Sequence, residues 1–316
     1  MDYQFCNICP RSCSIDRTSG KVGFCRQGDS MIISTAALHF GEEPPISGKG
    51  GSGVIFFSGC TMGCPFCQNW QISRGFAGEE VSCDQLAEIM MTLQNQGAEN
   101  INFVTGTHFL QSIKESVTKA KAQGLIIPLV WNCSGYESLE AIEVLNSFIH
   151  IYLPDYKTSD RKLAKRLFRA ENYPLIAEEA ILKMTESRKL SFDDDGIMKG
   201  GVIVRHLVLP GELESSRGFF KWYSENLIGK ALISVMVQYT PVKIPGNTIE
   251  VPHRFITKRE YDQLLDYLEE YKIEEGFFQD LETGSDWLPD FNKREPFPSK
   301  QTKVIWSSIK LSISSR

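Results

Sequence analysis

The sequence predicts an α/β fold organised around a parallel sheet. Between residues 50 and 280, short apolar runs rich in β-branched and aromatic residues alternate with helical stripes. This is the pattern of βα units, in which strands are buried on both faces and each crossover is a helix. Six such runs occur, at residues 54–57, 101–104, 125–131, 149–153, 201–208 and 231–237. Six strands are too few to close an eight-stranded barrel. A chain of 316 residues, 42% of them hydrophobic, buries enough surface to need no disulfide staples.

Taken in order, residues 1–49 form a cysteine-rich module. Cys6, Cys9, Cys13 and Cys25 follow C-x2-C-x3-C-x11-C spacing, interleaved with Arg17, Gly20 and Gly23. Four thiols complete a ligand set for zinc or for an iron–sulfur cluster, and this spacing favours a metal over four unmetallated thiols. Pro44, Pro45, Gly48, Gly50, Gly51 and Gly53 mark a linker into the first strand. The core spans residues 50–280. In it, Leu86, Ile89, Met90 and Leu93 define a helical stripe that Ser82 caps and Gly97 ends. Further helices are predicted at 110–123, 137–147, 160–170, 175–189, 214–227 and 257–271, with residues 281–316 as a C-terminal extension. Lys162, Lys165, Arg166 and Arg169 oppose Leu163, Leu167 and Phe168, which reads as a solvated amphipathic face. Asp193, Asp194, Asp195 and Gly196 lack the remaining ligands of a calcium loop and read as a polar turn. Cys83 and Cys133 stand alone and read as buried thiols.

Directly after the first apolar run come Cys60, Cys64 and Cys67 at C-x3-C-x2-C spacing. A cubane [4Fe–4S] cluster normally takes four thiolates, so three leave one iron open to a non-protein ligand. A tetrahedral zinc site would need a fourth side chain close by, and residues 68–82 contain no Cys, His or Asp. Seven of the nine cysteines precede residue 68, which in a reducing compartment points to metal rather than to disulfides.

The cysteine loop resembles the cluster motif of the radical S-adenosylmethionine (SAM) enzymes. Phe66, just before the third cysteine, is similar to the aromatic residue of the pyruvate formate-lyase activating enzymes. The Cys-Pro-Arg-x-Cys opening at residues 9–13 and the Thr-Gly-Thr-His run at 105–108 resemble an uncharacterised branch related to those enzymes, which reads Thr-Pro-Thr-His at the second place. The resemblance covers residues 50–280 in order. It implies an open, partial (β/α)6 barrel, a [4Fe–4S] cluster on Cys60, Cys64 and Cys67, and SAM chelating the open iron.

In barrel-like α/β sheets the chemistry sits at the C-terminal strand ends. By the same resemblance, Thr105, Thr107 and His108 occupy the place of the segment that holds the SAM amino group. The alternative is a helix cap with His108 on the surface. Asn132 and Ser134, after the third strand, offer uncharged oxygens. Asp155 and Lys157, after the fourth, resemble an Asp-x-Lys segment that contacts SAM; the alternative is a surface ion pair. Arg205 lies in an apolar strand and needs an acceptor, either a SAM carboxylate or a neighbouring buried carboxylate. Gln238, at the end of the sixth strand, is placed to meet the adenine or ribose.

The expected activity is therefore reductive cleavage of SAM to a 5′-deoxyadenosyl radical that takes a hydrogen atom from a substrate, with no catalytic side chain beyond the cluster ligands. Such an oxidoreductase works anaerobically and takes electrons from a donor such as flavodoxin or ferredoxin. A protein substrate, as for a glycyl-radical-enzyme activase, is one expectation. A non-catalytic metal-stabilised binding or electron-transfer protein, and a radical-SAM modifier of peptide or RNA, are the alternatives. The net charge of −5 carries no global signal for nucleic acid or anionic membrane. The start lacks a basic and apolar leader and no later run would span a bilayer, so a soluble cytoplasmic protein is expected.

Overall fold

The computed structural model describes residues 2–75, 77–281, 284–285, 287–298 and 302–310. In chain order the elements are β1 (Ile32–His39), α1 (Pro44–Ser47), β2 (Ser52–Phe57), α2 (Trp70–Ser73), β3 (Glu79–Glu80), α3 (Cys83–Asn95), β4 (Asn100–Val104), α4 (Leu110–Ala122), β5 (Leu129–Cys133), α5 (Leu139–Leu145), β6 (Ile151–Pro154), α6 (Arg161–Phe168), α7 (Tyr173–Ser187), β7 (Ser191–Phe192), β8 (Met198–Leu207), α8 (Leu213–Asn226), β9 (Leu232–Met236), α9 (Lys258–Glu270), β10 (Phe277–Phe278) and β11 (Thr302–Ser307). The six expected strands are β2, β4, β5, β6, β8 and β9, each followed by a helix. This is the α/β composition of a partial (β/α)6 barrel. The chain divides into two compact units: Met1–Thr61 with Asn69–Val130 and Asp286–Arg316, and Met62–Gln68 with Trp131–Ser285.

In the first unit β2 runs parallel to β4, with Ser52 opposite Asn100 and Phe56 opposite Val104. Every residue of both strands is buried, which is why they read as apolar runs. Helix α3 begins as a capping box: the Ser82 hydroxyl accepts the Gln85 N–H, and the Gln85 side chain accepts the Ser82 N–H. Its buried face comprises Leu86, Ala87, Ile89, Met90 and Leu93, the expected stripe plus one alanine. Burying each large side chain is worth about 1.5–3 kcal/mol.

Three strands of this unit, β1, β3 and β11, were not expected, and β3 pairs with β1. β1 lies antiparallel between β2 and β11. Segment 44–53, expected as a linker, holds α1 and the start of β2. From the tail, Phe291 and Phe297 pack on Phe56 with ring centroids 5.5 and 5.3 Å away. Both ends of the chain thus supply sheet or core to the unit.

In the second unit β6, β8, β9 and β10 form parallel pairs in that order, and β7 adds an antiparallel edge to β8. Helix α6 buries Leu163, Ala164, Leu167 and Phe168. Its basic side forms exposed pairs, Lys165 with Glu171 at 3.0 Å and Arg166 with Glu212 at 2.5 Å, as a solvated face does. The Asp193 carboxylate accepts the N–H groups of Asp195 and Ile197, which makes the acidic run a turn as expected. Cys133 is buried, whereas Cys83 is half-buried, more accessible than expected. No helix among the described residues is long and apolar enough to cross a membrane.

Candidate active site

The cysteine loop leaves β2 through Gly59, whose φ of +86° is left-handed. A Cβ there would stand 2.7 Å from the Cys25 carbonyl oxygen, so only glycine fits. Cys60 is half-buried, Cys64 buried and Cys67 half-buried. The Cys67 N–H donates to the Cys64 carbonyl at 3.2 Å, turning the chain between the second and third thiols. Phe66 is buried between Phe168 and Tyr239, with centroids 6.2 and 5.9 Å away. These ring contacts all lie within the second unit.

Also in the second unit, the Lys157 ammonium donates to Asp155 at 2.6 Å, with 19% and 28% of their side chains exposed. This is a half-buried pair, not the alternative surface one. Desolvation pulls the Lys157 ammonium toward neutrality, but Asp155, then Cys64 and Tyr173, outweigh it, and its pKa stands well above the usual lysine value. A single hydroxyl organises this corner. Tyr173 accepts the Lys157 N–H at 2.9 Å and lies 2.8 Å from the Ser134 carbonyl and 2.9 Å from that of Asp155, so its one proton serves two strand ends. Gly135 makes this approach possible, because a Cβ there would stand 2.5 Å from the Asp155 carbonyl.

Asn132 and Ser134 are half-buried beside that corner in the sequence. Arg205 is 8% exposed, and its backbone is bridged to Asp155. Its neighbour His206 faces α8: Nδ1 meets the Tyr156 carbonyl, Nε2 meets the Ser216 hydroxyl, and the ring stacks on Phe219 at 4.6 Å. Burial lowers the His206 pKa to about 4. By alternation Arg205 takes the other face of β8, as expected. Gln238 is half-buried and its amide oxygen accepts from Gln279 at 3.2 Å.

Thr105, Thr107 and His108 belong to the first unit, with Cys60. Thr105 ends β4 at φ +61°, a strained conformation for a β-branched residue and one that clusters at functional sites. Thr107 and His108 are buried, so the alternative of a surface His108 does not hold. His108 Nε2 lies 2.7 Å from the Ser58 carbonyl, and burial lowers its pKa to about 3. The imidazole is neutral, and Nε2 carries the proton because a carbonyl can only accept. That leaves Nδ1 as a buried acceptor without a hydrogen-bond partner.

Of the N-terminal thiols, Cys6 and Cys25 are buried and Cys9 and Cys13 half-buried. Among the described residues, no three Cys, His, Asp or Glu side chains are placed to hold one metal ion. Sequence reasoning passed over Tyr173, Ser58 and Arg17 as functional residues, all of which work through backbone carbonyls distant in the chain. A tyrosine or arginine in a helical or loop segment gives no sign of that in the sequence.

Residues 54–222, more than half of the chain, match the radical SAM superfamily, and the chain belongs to it. Membership implies a [4Fe–4S] cluster and SAM as cofactors, and SAM cleavage as the chemistry. The chain is 29% identical over 282 residues to MJ0674 of Methanocaldococcus jannaschii, an uncharacterised protein, spanning 86% of this chain and 76% of that one. Among solved structures it is similar to the FeFe-hydrogenase maturase HydG from Carboxydothermus hydrogenoformans, with a TM-score of 0.50 at 14% identity over 71% of this chain and 52% of that one. It is also similar to Streptococcus suis SuiB bound to S-adenosylmethionine, with a TM-score of 0.46 at 14% identity over 70% and 47%. The chain spans about half the length of these two solved proteins, and at such identity the likeness to HydG speaks for the fold alone.

The donors fit the cluster. Residues 60–67 supply three thiols and no carboxylate or imidazole, the soft set that iron–sulfur chemistry takes. The lone pair on His108 Nδ1 fits an N–H donor such as the methionyl amine of SAM.

Proposed function

We propose that Cys60, Cys64 and Cys67 hold the cluster and that the strand ends orient SAM for reductive cleavage, with a protein as the substrate. The observation that carries the SAM reading is the half-buried Lys157–Asp155 pair at the end of β6. When bound, the cluster and SAM together supply one-electron cleavage of a C–S bond and a 5′-deoxyadenosyl radical. The residues do the rest. Lys157 offers a cation for the methionyl carboxylate, and Asp155 fixes the ammonium and offers oxygen to a ribose hydroxyl. Thr105, Thr107 and His108 receive the amine, the neutral imidazole accepting through Nδ1. Asn132, Ser134, Arg205 and Gln238 offer further polar groups at strand ends of the second unit, where Phe66 packs between Phe168 and Tyr239.

The resemblance of Phe66 and the Asp-x-Lys segment to the activating enzymes supports a glycyl-radical activase, in which the abstracted hydrogen comes from a backbone glycine. A low-potential donor such as flavodoxin or ferredoxin would supply the electron, and the reaction would require exclusion of oxygen.

The test is electron paramagnetic resonance of anaerobically reconstituted, reduced protein with and without SAM, followed by measurement of 5′-deoxyadenosine. A SAM-responsive component of the cluster signal that is lost in the Cys60/Cys64/Cys67 triple Ala variant supports the reading. A spectrum indifferent to SAM, or zinc in place of iron, overturns it. Deuterium transfer into 5′-deoxyadenosine from a labelled candidate protein, peptide or RNA then identifies the substrate class.

A further inference from the structure

The most demanding charge in the chain lies outside the SAM site. Arg17 is fully buried, and a buried guanidinium needs a counter-charge. Its nitrogens donate to the carbonyl of Gly28, from Nε at 3.0 Å and from Nη2, to the carbonyl of His108 at 2.6 Å, and to the sulfur of Cys6 at 3.8 Å. The guanidinium also lies 4.6 Å from the centroid of the Tyr3 ring and 5.7 Å from that of Phe109. There is no carboxylate among these partners. The charge is met by dipoles, π faces and one sulfur.

The surroundings of that sulfur point to where the missing charge comes from. Cys6 and Cys25 are both buried in this module. The Phe24 N–H points at the Cys13 sulfur at 3.5 Å. Gly23 packs so closely on Cys13 that a Cβ there would stand 2.9 Å from the sulfur. N–H donors aimed at sulfur and a glycine pressed on it suit a thiolate bound to metal better than a neutral thiol.

We propose that Cys6, Cys9, Cys13 and Cys25 bind a soft metal centre as four thiolates, and that Arg17 is its charge-balancing positioning residue. A zinc tetrathiolate and an oxidised cubane tetrathiolate are both dianions, and metal binding displaces the thiol protons. Either centre supplies the negative charge that Arg17 lacks. The four sulfurs do not converge on one ion position, and a cubane, with a separate iron for each thiolate, accommodates that with less movement than zinc. The centre also braces residues of the first unit that are proposed to meet SAM or the cluster. Arg17 holds the His108 carbonyl, Cys25 and Gln27 pack against Gly59, and Arg11 Nε donates to the Thr61 carbonyl at 2.8 Å, on either side of Cys60.

The test uses the full chain in the Cys60/Cys64/Cys67 triple Ala background, so that its result is separate from the reading of the SAM cluster. Metal and sulfide are measured per chain, then release to a chelator and thermal unfolding are compared with and without Arg17→Met and Arg17→Lys. Iron with sulfide identifies an auxiliary cluster and zinc alone a structural site, and either supports the proposal. A folded triple variant without metal overturns it. Arg17→Met should release metal about ten- to a hundredfold faster, the scale of a lost charge-assisted hydrogen bond, with partial rescue by Arg17→Lys. Should Arg17→Met fail to fold, the Arg17→Lys comparison and a Cys9→Ala/Arg17→Met pairing remain. In metal-loaded protein, loss of the Arg17 charge should lower the melting temperature. With the centre removed by Cys9→Ala the loss should be clearly smaller, because only the donors to the Gly28 and His108 carbonyls then remain to be lost. An equal loss in both backgrounds would show Arg17 to be ordinary carbonyl packing.

Discussion

Replacing Tyr173 by Phe isolates what one hydroxyl does for the SAM-site corner. The phenyl ring stays, so contacts with Phe168 at 5.5 Å and Tyr136 at 5.9 Å persist, and no cavity larger than an oxygen is made. What goes is an acceptor for the Lys157 N–H and a donor shared by the Ser134 and Asp155 carbonyls. Tyr173 is fully buried, so water does not replace the hydroxyl at once. Leaving a buried donor unsatisfied costs about 1–3 kcal/mol. Urea unfolding of wild type and Tyr173→Phe should show that loss at unchanged m-value. SAM affinity should fall as well, because Asp155 and Lys157 lose the tie that fixes their backbone, while cluster content stays constant. A stability loss under about 0.5 kcal/mol, within the range of ordinary surface substitutions, would refute the hydroxyl's organising role.

Three further outcomes follow from the same geometry. Asp155→Asn and Lys157→Met should each weaken SAM binding about ten- to a hundredfold with the cluster intact, read by equilibrium dialysis and uncoupled 5′-deoxyadenosine release; equal binding in both variants would reduce the pair to a structural one. Thr105→Gly should relieve a backbone strain of order 1–3 kcal/mol and raise the urea midpoint while lowering SAM affinity, whereas a lower midpoint would place the strain elsewhere. As pH falls, the unfolded chain protonates His206 near its usual 6.5 and the folded chain only near 4, so stability is full above the first value and declines toward the second. At about 1.4 kcal/mol per pKa unit the decline is ~3 kcal/mol, and His206→Gln should flatten the urea-midpoint profile of metal-free protein over this range; an unchanged slope would mean the imidazole is not held neutral.

The six core strands were legible because a strand buried on both faces leaves an uninterrupted apolar run, as in Val54 to Phe57. β1 was not. Its Ser34 and Thr35 are buried beside Ile33, Ala36 and Ala37, and two hydroxyls in the run disguise it. β11 lies in a polar tail and is a strand because β1 pairs with it, a long-range cause that no local pattern carries. Helix limits shifted by a residue or two where a cap decides them: Ser138 starts α5 by accepting the Ala141 N–H. In the candidate site, the pairing of Asp155 with Lys157 was legible from their two-residue spacing. The burial of His108 was not, since it depends on Ser58 and Arg17 fifty and ninety-one residues away.

Radical chemistry of this kind asks the protein to hold and to exclude rather than to donate and accept protons, and that explains where the unmarked residues sit. A carbonyl at the C-terminal end of a strand has left the sheet ladder and must find a donor once buried. In the second unit Tyr173 supplies it for Ser134 and Asp155, and in the first Arg17 supplies it for His108. The segments that follow β4, β5 and β6 are thus each pinned by a side chain that need not itself touch ligand. Substitutions at such anchors should move SAM affinity and stability together. Substitutions at Asp155 or Lys157, whose side chains pair with each other and satisfy no buried carbonyl, should move affinity more than stability. The contrast is physical: the anchors satisfy backbone that is buried whether or not SAM is present, whereas the charged pair keeps partial access to water until SAM replaces it.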